Sequence, residues 1–523
     1  MRKLSECSAS RARALLAACA IAMAAAGHAA TDDSCARAGQ LAGPGWRIDS
    51  AGFAPSGDPA PHCVVKGAVV SGTASGIGFE LRLPLNWNGR LLFQGGGGLD
   101  GSVRPALGSI PLAGAKDRPG ALARGYAVVS MDGGHEGDGA AFAADEQAWL
   151  DFAYASAPKV TRAAREMATR FYGQAPRHSY FMGCSNDGRE AMIAAERDPG
   201  AFDGIVAGNP GFNLAGSALE ETWETALLAR SAPRDATGHP VIAEALSDAD
   251  LVLVADAVAR ECDKADGLAD GLVFDHSCKF DPQVLACAPG RGNASCLAAP
   301  KLELLRALFA GSQPYGGWPY DTGITAAAWR KQKLGTARAG PPNAGNAVRG
   351  AQAWYEVLLR QPIPERIETP EQVLAAAGRA EPRARQVNAT ATRLDDFAAR
   401  GGKLLVYQGM SDPVFSSTDL IAWYQRAQHD TVTAEGRPWM RLFLSPAMGH
   451  CGGGPGLDDF DPLEAIEGWV ERGEAPERII ARNRAAPGST RPLCAYPRFA
   501  RYDGKGPVDD AASFGCSMPG DAQ

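Results

Sequence analysis

Ser179-Tyr180-Phe181-Met182-Gly183-Cys184-Ser185-Asn186-Asp187-Gly188-Arg189-Glu190 is the stretch on which the fold turns. Ser179 to Met182 reads as a strand, Gly183 to Gly188 as a tight turn, and Arg189 to Arg197 as a helix. A serine at the tip of a strand–turn–helix is raised above the end of a sheet, where a nucleophile is needed. The usual elbow pattern is G-x-S-x-G. Here the second glycine position holds Asp187, and Gly188 comes one residue later. The pattern is broken but its context is intact. The plainer reading of Ser185 is a helix cap.

Working outward, Arg90 to Gln94, Tyr126 to Ser130 and Phe202 to Ala207 are short apolar runs that read as strands. Residues 159–172 carry Val160, Ala163, Met167 and Phe171 on one helical stripe. The rhythm resumes with a short helix from Leu394 to Arg400, a strand at Lys403 to Gln408, a helix over 417–428, a strand at Arg441 to Leu444 and a helix from Pro462 to Glu471. Alternating strands and helices predict an α/β fold with a mostly parallel sheet. Between the two stretches lies a segment of a different kind. It carries Trp223, Trp318, Trp329 and Trp354, with helices near 249–261 and 299–310 and loops rich in glycine and proline. It predicts an inserted lid over the sheet, or else a second domain. The expected division is a signal segment over 1–30, the first part of the α/β domain over 31–215, the lid over 216–390, and the second part of the α/β domain over 391–523.

A net charge of -7 and the lack of a long basic run argue against nucleic acid as a partner. The basic start, the apolar run from Ala14 to Ala26 and the small residues near Ala29 read as an export signal too short to span a membrane. A secreted or periplasmic protein is expected. Leu16-Ala17-Ala18-Cys19 also resembles a lipoprotein box, so lipid attachment at Cys19 is a second route. Beyond that segment ten cysteines remain, an even number that suits disulfides in an exported chain. Sequence order suggests Cys35–Cys63, Cys262–Cys278, Cys287–Cys296 and Cys494–Cys516, leaving Cys184 and Cys451 as a long-range pair. Counting does not fix connectivity.

Cys184 precedes Ser185 and Cys451 follows His450. Were they bonded, a serine and a histidine would lie side by side. Asp412 follows a predicted strand, and the order Ser185, Asp412, His450 is nucleophile, acid, base. The plainer alternatives are a packing histidine and a turn aspartate before Pro413. An oxyanion needs backbone donors, and the amides of Asn186 and of Gly96 in the run Gly95 to Gly98 suit it, with Gly95 or Gly97 as alternatives to Gly96. His135, at another predicted strand end, is either a substrate contact or a cap. Asp263, Asp266 and Asp270, with the carbonyls of Leu268 and Leu272, offer the hard oxygens that calcium takes, although the spacing is not that of an EF-hand. A solvated acidic turn is the alternative.

Together these pieces resemble the tannase and feruloyl esterase family of α/β-hydrolases over nearly the whole chain. The resemblance rests on Trp87-Asn88-Gly89-Arg90, the glycine run 95–98, Asp132 to His135, Gly183-Cys184-Ser185, Phe202 to Gly208, the aspartate loop 263–270, Gly409 to Asp412 and Gly449-His450-Cys451. It implies a Ser185–His450–Asp412 triad, a Cys184–Cys451 disulfide, a lid domain and lid-held structural calcium with no catalytic cofactor. It also implies hydrolysis of a small aromatic ester of the hydroxycinnamate, gallate or terephthalate monoester type. Phe415 and Trp354 are expected to hold the ring, with Arg349 as a candidate for a substrate carboxylate. A serine peptidase, or a binding protein without catalysis on the same fold, are the competing readings.

Overall fold

The structure, a computed structural model, describes residues 32–521 apart from 56–59, 74, 289–294, 434–435 and 485. The expected export segment, with Cys19, lies outside the described residues. Among those described, no helix is long and apolar enough to cross a membrane.

Nine strands form one sheet in the order β1-β2-β3-β5-β4-β6-β7-β8-β9. Six of them, β4 (Arg90–Gln94), β5 (Ala127–Met131), β6 (His178–Cys184), β7 (Gly204–Gly208), β8 (Lys403–Gly409) and β9 (Met440–Ser445), are the predicted strands and run parallel. The other three are an antiparallel extension that sequence patterning did not reveal: β1 (Trp46–Ala54), β2 (His62–Val69) and β3 (Ile77–Pro84).

Both faces of the parallel part are buried, so its strands are almost continuously apolar. Phe93, Phe181, Ile205, Leu404 and Val406 point to one layer, which holds Val160, Ala163 and Met167 of helix α1 (Ser156–Tyr172). Leu92, Tyr180, Val206, Leu405 and Tyr407 point to the other, which holds Ile466 and Trp469 of the helix Pro462–Arg472. The stripe predicted for α1 is therefore the buried one, except that Phe171 is only partly buried.

Registers place the strand ends together. Cys184 pairs with Gly208, Gly208 with Tyr407, and Gly409 with Ser445. The loops that follow β6, β7, β8 and β9 thus open on one edge of the sheet, the edge where open α/β folds bind ligands.

Between β7 and β8 the chain is helical, with no β-strand among the described residues. Helix α2 (Leu214–Ser231) is buried on nearly all sides and is the axis of a third apolar cluster. Trp223, Trp329 and Trp354 belong to this cluster. So do Phe142, Trp149 and Phe152, from outside the predicted insertion, and Phe415 from beside the sheet edge. The helices Asp248–Cys262, opened by a Ser247/Asp250 capping box, and Ala299–Ala310 stand where expected.

After the last helix the chain forms two hairpins that were likewise not predicted, β10 (Arg478–Asn483) with β11 (Ala486–Cys494) and β12 (Phe499–Tyr502) with β13 (Phe514–Ser517). All five disulfides suggested by sequence order are formed.

Candidate active site

Ser185 sits between β6 and the helix Asn186–Arg197. This helix begins three residues earlier than predicted, directly after the serine. Ser185 has φ 69° and ψ -126°, a conformation an L-residue holds only when its surroundings impose it. Its N–H donates to the carbonyl of Gly208 at 2.9 Å, and its carbonyl accepts from the amides of Arg189 and Gly211. Asp100, Asn209, Ala447 and Cys451 also have positive φ and lie in the loops around it. Backbone strain is thus gathered at this edge.

His450 lies across from the elbow. Its Nε2 is 2.9 Å from Ser185 Oγ. Its Nδ1 is 2.9 Å from Asp412 Oδ2 and 3.1 Å from Oδ1. With a carboxylate at Nδ1, the proton belongs there, and Nε2 is left to accept from the serine hydroxyl. Asp412 is fully tied. It accepts from Asn209 Nδ2 at 2.7 Å, Gln408 Nε2 at 3.2 Å, the amide of Val414 at 2.8 Å and that of Phe415 at 3.2 Å. These donors compensate a buried negative charge and aim it at the imidazole. The disulfide Cys184–Cys451, with its Cα atoms 6.1 Å apart, joins the turn of Ser185 to the loop of His450. The buried Asp321, from the helical segment, accepts from Ser411 Oγ at 2.6 Å and from the Ala447 amide at 2.8 Å, so it holds the acid's loop to the base's loop.

The glycine run 95–98 follows β4, which pairs with β6. The Gly95 amide donates to Met182 O at 3.1 Å. The Gly96 backbone lies close enough to the Asp187 carboxyl to favour its charged form. Phe415 presents its ring to His450 at 5.4 Å and 65°. The other expected substrate contacts have partners of their own. His135 uses its Nε2 on the carbonyl of Leu99 at 2.9 Å and stacks on Phe142, and burial pushes its pKa down. Trp354 is enclosed in the helical core. Arg349 is exposed and donates to Gln332 Oε1 at 2.9 Å.

In the aspartate loop, Asp263 accepts from the Gly271 amide, Asp266 from those of Leu268 and Phe274, and Asp270 from that of Leu272 and from Arg491. Asp263 Oδ1 is buried with no hydrogen-bond partner. Burial first, then the charges of Asp263 and Asp270, push Asp266 up to about 7. Asp263 thus has a spare buried oxygen of the hard kind a divalent cation takes, while the oxygens of Asp263, Asp266 and Asp270 do not all converge within 4.8 Å of one another. Gly267, at φ 89°, packs against the carbonyl of Tyr502 in β12, which places the loop on the C-terminal hairpin.

Sequence reasoning missed Asn209, Gln408 and Asp321. Asn209 and Gln408 lie at the ends of strands β7 and β8, which is a usable signal in a parallel sheet; Asp321 had none.

A family model described as tannase and feruloyl esterase matches residues 63–517. The mono(2-hydroxyethyl) terephthalate hydrolase of Piscinibacter sakaiensis is 37% identical, the match covering 91% of this chain and 88% of that one. A probable feruloyl esterase B-2 of Aspergillus terreus is 30% identical over 87% of this chain and 86% of its own. Among solved structures, feruloyl esterase B from Aspergillus oryzae superposes with a TM-score of 0.77 at 24% identity, covering 93% of this chain and all of that one. The tannin acyl hydrolase of Aspergillus niger does so with a TM-score of 0.70 at 18% identity, over 94% of this chain and 95% of that one. Both likenesses support the α/β-hydrolase fold.

Proposed function

The chain belongs to the tannase and feruloyl esterase family, and from that premise we propose that it hydrolyses carboxylic esters of aromatic acids through an acyl-enzyme on Ser185. The observation that carries the reading is one side chain: His450 reaches Ser185 Oγ with one nitrogen and Asp412 with the other, each at 2.9 Å. His450 takes the serine proton as Oγ attacks the ester carbonyl. Asp412 holds the imidazole and stabilises its cation. Backbone amides of Asn186 and of the glycine run, Gly96 among them, face the developing oxyanion. The histidine then protonates the leaving alcohol and afterwards takes a proton from water, whose oxygen releases the acid. Phe415 is the aromatic wall beside the base, and the acyl ring is expected against it.

The helical segment 216–390 acts as the lid, and it fixes the acid's loop through Asp321. Asp263, Asp266 and Asp270, with the carbonyls of Leu268 and Leu272, would hold calcium where that segment meets the C-terminal hairpin. A bound ion would offset the repulsion among the carboxylates and take no part in the chemistry. Five disulfides support an oxidising compartment, hence export. Retention by a lipid on Cys19 would be read from the mass of the mature protein.

Ser185→Ala is the decisive variant. It should keep the far-ultraviolet circular dichroism of the native chain and lose turnover of methyl ferulate, methyl gallate and the terephthalate monoester alike. Retained turnover would sink the proposal. The ratio of kcat/KM among the three esters, with a peptide substrate alongside, assigns the acyl group.

A further inference from the structure

The elbow's departure from the glycine pattern has a structural consequence. The Asp187 side chain is wedged between the two loops that build the site. A Cβ on Gly95 or on Gly183 would run into it, and one on Gly97 would stand 3.3 Å from its Oδ2. The Gly96 backbone favours the charged form of Asp187, whose Oδ1 is buried with no partner. Two further buried carboxyls adjoin it. Asp100 Oδ1 accepts from Asn186 Nδ2 at 2.7 Å, and Glu190 Oε1 lies 3.3 Å from both Asn186 Nδ2 and Arg189 Nη2. Asp100 Oδ2 and Glu190 Oε2 have no partner, and one oxygen from each of the three acids lies within 4.8 Å of the others.

The charged groups facing Asp187 are Asp100 from the glycine loop, Arg189 and Glu190 from its own helix, and Arg104. Arg189 is the one buried cation among them, and it is shared. It donates to the carbonyls of Ala153, Val387 and Phe152 as well as to Asn186 and Glu190. One guanidinium cannot balance three buried carboxylates, so the cluster keeps protons.

We propose that Asp187 is a proton-switched positioning residue of the oxyanion loop, permissive when neutral and inhibitory when ionised. The inference rests on the acyl-enzyme reading. A carboxylate at this place opposes catalysis in two ways. It competes with the oxyanion for the Gly96 amide, and it puts a negative charge beside a hole that must accept one in the transition state. Burial pushes all three acids up, Asp187 to about 7, Glu190 to about 8 and Asp100 well above the usual carboxylate range. Asp187 therefore keeps its proton to a higher pH than an ordinary carboxyl does.

The test is kcat for the native protein, Asp187→Asn and Asp187→Gly on methyl ferulate from about pH 6 to about pH 9, on either side of its ionisation. Asparagine keeps the shape without the charge, and glycine restores the elbow pattern if asparagine does not fold. Dividing variant by native kcat removes the pH effects common to both chains. The ratio should rise at least about tenfold across the range, in kcat and not in KM, for either variant. A flat ratio in folded variants, with Ser185→Ala inactive, overturns the role of Asp187 alone. Turnover surviving in Ser185→Ala overturns the acyl-enzyme reading and this inference with it.

Discussion

Replacing Cys184 and Cys451 together by alanine should cost more than replacing Cys494 and Cys516 in the same way, in both stability and turnover. The first bridge closes a separation of 267 residues and the second one of 22. If a disulfide acts by restricting the unfolded chain, its contribution grows with the logarithm of the loop, to about 5–6 kcal/mol for the long loop against about 3 kcal/mol for the short one. The difference, 1.5RT ln(267/22), is about 2 kcal/mol. The catalytic effect is separate and local. The long bridge joins the residue before the nucleophile to the residue after the base, and Cys451 is held at φ 54°. Without it, the loop of His450 is free to relax away from Ser185. A displacement of a few tenths of an ångström there should lower kcat on the order of tenfold with little change in KM. Urea unfolding followed by tryptophan fluorescence measures the first quantity, and steady-state kinetics on methyl ferulate the second. Equal unfolding midpoints for the two pairs would refute the loop argument. An undiminished kcat in the Cys184/Cys451 variant would refute the claim that the bridge holds the base on the nucleophile.

Asn209→Ala removes a 2.7 Å donor from the buried Asp412, and kcat should fall about ten- to hundredfold at unchanged KM; an unaltered kcat would show that the remaining donors suffice. Lys333 and Glu224 form a buried ion pair at 2.7 Å within the helical segment. Lys333→Met strands the carboxylate and should cost about 3–5 kcal/mol in urea unfolding, most of it recovered by adding Glu224→Gln. Equal stability of the single and double variants would contradict that account. Calcium at a hundredfold over its Kd should stabilise the chain by about 3 kcal/mol relative to chelator, read as a rise in Tm that Asp266→Asn abolishes. The same Tm in both conditions would remove calcium from the aspartate loop.

Much of the frame was legible because its strands are buried on both faces. Within Arg90–Gln94 and Lys403–Gly409 the residues Leu91 to Phe93 and Leu404 to Tyr407 are apolar without interruption, and each run leads into a glutamine and glycine. The antiparallel strands β1 to β3 were not, because they are less completely buried. Glycine and charged residues interrupt Trp46–Ala54, whose burial does not alternate cleanly. The boundary of the helical insertion was hidden for another reason. Phe142, Trp149 and Phe152 precede β6 in sequence, yet they pack into the insertion's core, and no local pattern records that partnership.

Read along the chain, the residues already specify the kinds of element, the serine at a strand–turn–helix, the order of nucleophile, acid and base, and an even set of cysteines that pair largely with near neighbours. These are local properties, set by periodicity and by single residues. Folding in three dimensions was needed to establish which carbonyls and amides close around Asp412, that Asp321 reaches in from the insertion, and that Arg349 stands at Gln332. It was needed, too, to show that Asp187, a flaw in the elbow pattern when read along the chain, lies against the glycine run 95–98 and two other buried acids. Those facts depend on parallel strand registers that bring residues as far apart as Cys184 and Cys451, 267 positions, onto one edge. Side-chain contacts across such distances leave no mark in a single sequence, because the chain's local preferences are satisfied whether or not they form.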